Sequence, residues 1–145
     1  MDETRKRAAD RGRQMGLTYA GAVLPAEAAE LMSAGGTLVD VRTRPELAYV
    51  GRIPGAAAVE WQTWPGNQPN PEFLAELAAV APKDKPVMFL CRSGVRSHYA
   101  AEAATRAGWR EAYNVLEGFE GDKDGAQHRG NLGGWKKAGL PWIQS

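Results

Sequence analysis

The chain has 145 residues, 43% hydrophobic and 24% charged, the proportions of one globular domain, which excludes wholesale disorder and a collagen-like repeat. Eighteen Lys and Arg against seventeen Asp and Glu leave a formal charge of +1, too weak a field to draw nucleic acid by charge alone. Gly, Pro or a charge interrupts every apolar run well short of a membrane span, and one cysteine makes no internal disulfide.

Arg5, Lys6, Arg7, Arg11 and Arg13, followed by the mildly apolar stretch 17–26, imitate a signal peptide. Asp2, Glu3 and Asp10 interrupt the basic run, and Gly16, Thr18, Gly21 and Pro25 make a poor hydrophobic region. The expectation is therefore a cytoplasmic protein, with periplasmic export the lesser alternative. Residues 1–16 are expected to form a charged, solvated arm ahead of one domain over 17–145.

A first strand is predicted within 17–24. Residues 25–33 read as a helix, with Pro25 at the start, Ala28 and Leu31 at helical spacing, and Gly35-Gly36 as the stop. A strand follows at 37–41, a short helix at 45–50 ended by Gly51, and a short strand at 56–59 after the turn Ile53-Pro54-Gly55. Residues 67–71 read as a loop. Phe73, Leu74 and Leu77 then share one face of a helix over 71–80, which Pro82 ends.

Val87-Met88-Phe89-Leu90 is a continuous apolar run of strand length, as expected for a strand covered on both faces. The Ala-rich stretch 95–107 places Val95, Tyr99 and Ala103 four apart and is stopped by Gly108. A last strand is predicted at 112–116. Strands alternating with helices give an α/β fold, with a mainly parallel central sheet flanked by helices on both faces. Such sheets bind ligands at the carboxyl ends of their strands, where Cys91 lies.

Cys91-Arg92-Ser93-Gly94-Val95-Arg96-Ser97 joins the apolar strand to the helix. Gly94 permits a backbone bend that turns successive N–H groups toward one point, an arrangement that holds an anion. The helix N-terminus, Arg92 and Arg96 add positive potential, so the Cys91 thiol is expected below its free value of about 8.5 and nucleophilic near neutrality. The competing reading is an inert buried thiol. Cys91 to Arg96 spans one residue fewer than the Cys-x5-Arg loop of cysteine phosphatases and arsenate reductases. A tighter ring suits a sulfur atom carried on the cysteine better than a tetrahedral phosphate.

At these residues the chain resembles the rhodanese sulfurtransferase family. The same resemblance is carried by Leu38-Val39-Asp40-Val41-Arg42 with Glu46, by Gly51-Arg52-Ile53-Pro54-Gly55-Ala56, and more weakly by Leu116-Glu117-Gly118-Phe119. It runs over 17–142, nearly the whole chain. Two departures are Arg52, where the family commonly has His, and a longer region after Gly118, roughly 122–131, rich in Gly, Asp and basic residues.

The resemblance implies a rhodanese-like fold and a two-step transfer with Cys91 as the catalytic residue. The thiolate takes the outer sulfur of thiosulfate or a persulfide donor, sulfite leaves, and a second nucleophile collects the sulfur. That acceptor is cyanide in assays of the family and a thiol or a protein cysteine in a cell. Backbone N–H groups of Arg92, Ser93, Gly94, Val95, Arg96 and Ser97 would stabilise the persulfide. No cofactor, nucleic acid or membrane partner is implied. Two histidines and one cysteine between 91 and 128 lack zinc-site spacing, so no metal is expected. The alternatives are a phosphatase or arsenate reductase, and a sensing module in which modified Cys91 signals without turnover.

Asp40, Arg42 and Glu46 read as structural support, with Arg42 and Glu46 together bracing the loop after their strand. His98 offers either an imidazolium near the thiol or a capping group at a helix start. His128 reads as solvated. Trp61 and Trp64, beside Pro65 and Gly66, either rim the pocket or cover the core, whereas Trp109, Trp135 and Trp142 read as packing residues.

Overall fold

The apolar run 87–90 decides the architecture, because a strand with all four residues buried needs a neighbour on each edge and a layer on each face. In the computed structural model, which describes residues 2–144, that run is β6 (Val87–Leu90), the middle strand of five. The chain order is α1 (Asp2–Met15), β1 (Gly21–Val23), α2 (Pro25–Ser33), β2 (Thr37–Asp40), α3 (Arg44–Tyr49) and β3 (Ala57–Ala58). The hairpin β4 (Gln62–Thr63) and β5 (Gln68–Pro69) follows, then α4 (Phe73–Val80), β6, α5 (Val95–Arg106) and β7 (Ala112–Val115).

The main sheet has the order β1-β7-β6-β2-β3, and every neighbouring pair is parallel. The α/β fold expected from the alternation of elements is thus present, with helices on both faces. Alternation along β6 sends Val87 and Phe89 to the face covered by Phe73 and Leu77 of α4 and by Ala100, Ala101 and Ala104 of α5. Met88 and Leu90 face Ala8 of α1, Ala28 and Leu31 of α2, and Phe119 with Trp135. The next residue in that alternation is Cys91, which therefore lies on the α5 side.

The basic N-terminal stretch expected as a solvated arm is instead a helix packed on β1. Its guanidinium groups have partners within the chain: Arg7 and Arg11 both meet Glu27 (3.1 and 2.9 Å), and Arg5 meets Glu111 (3.3 Å). Gly12 and Gly21 let the two backbones touch, for a Cβ at Gly21 would stand 2.4 Å from the Ala8 carbonyl oxygen. The Val23 carbonyl faces β7 by accepting from Leu116 N, so the alternate Ala22 carbonyl points outward, where the Arg11 guanidinium takes it at 2.5 Å.

Strand β1 is shorter than the predicted 17–24 because Gly16 (φ +70°) ends α1 and 17–20 turn into the sheet. The predicted loop 67–71 contributes β5 to a two-residue antiparallel pairing with β4. No helix among the described residues is long and apolar enough to cross a membrane.

Candidate active site

β6 delivers Cys91 to the carboxyl edge of the sheet, and the chain there must reverse into α5 within a few residues. Gly94 makes this possible: at φ 111° it occupies the left-handed region as the residue capping α5. Its N–H donates to Cys91 Sγ at 3.1 Å, and the Ser97 hydroxyl lies 3.4 Å from the same sulfur. Burial, which leaves Cys91 1% exposed, pushes the thiol up. The Ser97 hydroxyl and the N–H groups of Ser97, Gly94 and Ser93 outweigh it, so the thiol sits below its ordinary value.

A second segment holds this loop from beneath. Phe119 N donates to the Cys91 carbonyl (2.9 Å), and Glu120 N to the Arg92 carbonyl (3.0 Å). Gly118, at φ +61°, lies so close that a Cβ would stand 2.5 Å from the Cys91 carbonyl oxygen. This contact gives the physical reason for Leu116-Glu117-Gly118-Phe119: the segment is the floor of the cysteine loop.

Arg96, the second basic residue of the loop, does not present a free charge. Glu46 receives it through two bonds of 2.7 and 2.9 Å, and the Thr43 N–H (3.1 Å) and hydroxyl (3.0 Å) hold the same carboxylate at the start of α3. Burial pushes Glu46 up, but the Arg96 bonds and charge, with Thr43, bring its carboxyl down to about 2. Arg96 is raised, chiefly by its bonds to Glu46. The expected pairing of Arg42 with Glu46 is thus corrected. Arg42 is wholly buried, binds Asp40 bidentately (3.0 and 2.8 Å) and the Gly51 carbonyl (2.8 Å), and lies over the Phe119 ring at 4.2 Å. It ties the end of β2 to the Gly51 turn, while Glu46 ties α3 to the cysteine loop.

The opening beside the loop is a polar cavity of about 270 Å³ lined by Glu46, Gln62, Asn67, Arg92 and Arg96. Arg92 is exposed and makes no ion pair among the described residues. Of the two readings for Trp61 and Trp64, pocket rim or core cover, the structure places neither ring in this lining. Trp61 packs edge-on against Phe73, centroids 5.0 Å apart, and Trp64 is 60% exposed. Their hairpin contributes Gln62 and Asn67 instead, because the ring at 61 points to the α4 core and leaves the amide beside it facing the mouth.

His98 has both ring nitrogens engaged by other side chains. Its Nδ1 meets the Tyr19 hydroxyl at 2.7 Å, and Nε2 lies 3.7 Å from Glu102. Burial pushes the Tyr19 hydroxyl up to about 12, with a hydrogen bond from Asn114 acting against it. Asn114 is a residue the sequence reading missed. It accepts from the Ser97 hydroxyl at 2.6 Å through Oδ1 and donates to the Gly94 carbonyl at 3.1 Å through Nδ2. Its available signal was one carboxamide inside the otherwise apolar strand 112–116, which needs a buried partner. In the 122–131 region, Asp124 accepts from the N–H groups of Ala126 and His128 and from Asn131, so that segment folds around its own carboxylate. Among the described residues, no three His, Cys, Asp or Glu side chains converge as a metal site.

A single thiol at a parallel strand end, ringed by N–H groups and backed by a helix N-terminus, is an α/β arrangement that holds the thiol below its ordinary value. The chain belongs to the rhodanese-like family: the family model described as "Rhodanese-like domain" matches residues 24–124. It is similar to the crystal structure of Rv0390 from M. tuberculosis, with 46% identity and a TM-score of 0.81 over 88% of this chain and 100% of that one. An uncharacterized Rickettsia conorii protein is 37% identical over 72% of this chain and 80% of its own length. A sulfurtransferase of Allochromatium vinosum is 31% identical over 73% of this chain and 77% of its own.

Proposed function

We propose that the protein is a sulfurtransferase that carries sulfane sulfur on Cys91, taking it from thiosulfate or a persulfide and passing it to a thiol or a protein cysteine in the cytoplasm. The observation that carries this reading is the set of donors from Ser93, Gly94 and Ser97 converging on a buried sulfur whose thiol is held below its ordinary value. The similarity to a protein named a sulfurtransferase supports it.

The Cys91 thiolate attacks the outer sulfur of thiosulfate. The S–S bond of the donor breaks, sulfite leaves with the electron pair, and a new S–S bond leaves a persulfide anion on the enzyme. Arg92, exposed at the mouth and without an ion pair among the described residues, draws the dianion in, and the N–H groups of the loop stabilise the anion that results. An acceptor thiolate then takes the terminal sulfur and restores the Cys91 thiolate. Arg96 works as an anchor for the loop, since Glu46 neutralises it.

Intact-mass measurement after thiosulfate treatment tests the proposal. A gain of one sulfur with equimolar sulfite, present in the wild type and absent in Cys91→Ser, is the expected result. No gain in the wild type, or hydrolysis of an aryl phosphate in its place, overturns it.

A further inference from the structure

We propose that Asn114 is a positioning residue for the sulfur-carrying loop: its carboxamide pins the Gly94 carbonyl and holds the Ser97 hydroxyl proton until an anion on Cys91 Sγ claims it. The inference deepens the sulfurtransferase reading by naming what regulates the thiol of that same site.

The geometry leaves little freedom. Asn114 pairs with Phe89 across the β6–β7 ladder, so its side chain shares the α5 face with Cys91 two residues further along. It is 4% exposed, and a buried carboxamide must satisfy both ends. The Gly94 carbonyl only accepts, which fixes Nδ2 on that side (3.1 Å) and leaves Oδ1 toward Ser97 (2.6 Å).

The Ser97 hydroxyl has one proton and two acceptors to serve, Asn114 Oδ1 at 2.6 Å and Cys91 Sγ at 3.4 Å. While Cys91 is a thiol, its own S–H donates to Ser97 Oγ and the hydroxyl proton stays with Asn114. When the thiol loses its proton to solvent, the sulfur becomes an acceptor and the hydroxyl turns to it, leaving Oδ1 unpaired. Asn114 thus opposes ionisation through Ser97, while through Gly94 it supports the N–H that meets the sulfur at 3.1 Å. The titratable and charged groups around this set are Tyr19, which shares a hydrogen bond with Asn114 and leads on to His98 with Glu102, Arg96, neutralised by Glu46, and Arg92 at the mouth. None of them contacts Ser97 Oγ.

A double-mutant cycle separates the two actions, because the support given through Gly94 is common to both backgrounds and cancels. Cys91 is titrated by thiolate absorbance in the whole chain as wild type, Asn114→Ala, Ser97→Ala and the double variant. Asn114→Ala is expected to favour the thiolate about tenfold more when Ser97 is present than when it is absent, a difference of about one pKa unit. Equal shifts in the two backgrounds, or a difference of opposite sign, overturn the proposal. Asn114→Leu gives a second cycle of closer volume should circular dichroism show the alanine variant unfolded. The titration uses no sulfur donor, so its outcome is independent of whether transfer occurs.

Discussion

Glu46→Gln isolates the ion pair that ties α3 to the cysteine loop. In the folded protein its carboxyl is held at about 2 instead of its ordinary 4.5, equivalent to at most about 3 kcal/mol. The pair keeps about one-fifth of each side chain in contact with water, and solvent screening brings the expected contribution to about 1–2 kcal/mol. The sign follows from the direction: a carboxyl depressed by folding stabilises above its unfolded value and ceases to do so as pH falls through the folded one. The wild type is therefore expected to exceed Glu46→Gln by that amount near neutrality. The gap should narrow as the medium is acidified from 4.5 toward about 2. Urea unfolding midpoints measured across this range make the check. A gap that is absent at neutral pH, or one that persists unchanged into acid, refutes the reasoning.

Gly118→Ala is expected to cost about 1–3 kcal/mol or more of stability, because the new methyl meets the Cys91 carbonyl oxygen at 2.5 Å and the backbone stays at φ +61°. The displaced loop should also raise the Cys91 thiol, and denaturant unfolding paired with thiol titration reads both effects. Arg92→Ala should raise KM for thiosulfate about two- to fivefold, the scale of one exposed charge, and flatten its dependence on added salt. Steady-state kinetics at two ionic strengths makes the comparison, and an unchanged salt dependence would count against the steering role of Arg92.

Where local pattern and final contact coincide, the sequence was readable. Val87-Met88-Phe89-Leu90 announces a central strand, and Gly94 marks the bend into α5, because each signal depends on residues only a few positions apart. The helix boundaries at 25–33 agree for the same reason, since Glu27 caps the Leu24 N–H at 2.8 Å from three residues away. Glu46 was read as a partner for Arg42, four positions away, but its pairing with Arg96 spans fifty positions and exists only after β6 and β2 have been laid side by side. The basic stretch Arg5 to Arg13 looked solvated because its acids, Glu27 and Glu111, are remote in sequence. Asn114 escaped notice because a strand residue declares its face only when the register is known.

The β1–β7 ladder carries a consequence for how the chain folds. Gly21 pairs with Tyr113, so β1 has no strand partner until β7 is in place. In the folded chain α1 grips Glu27 and the outward carbonyl of Ala22 and packs on β1. The outer edge of β1 is thus covered by α1, and closing β1 on β7 across about ninety residues is the longest-range strand pairing in the main sheet.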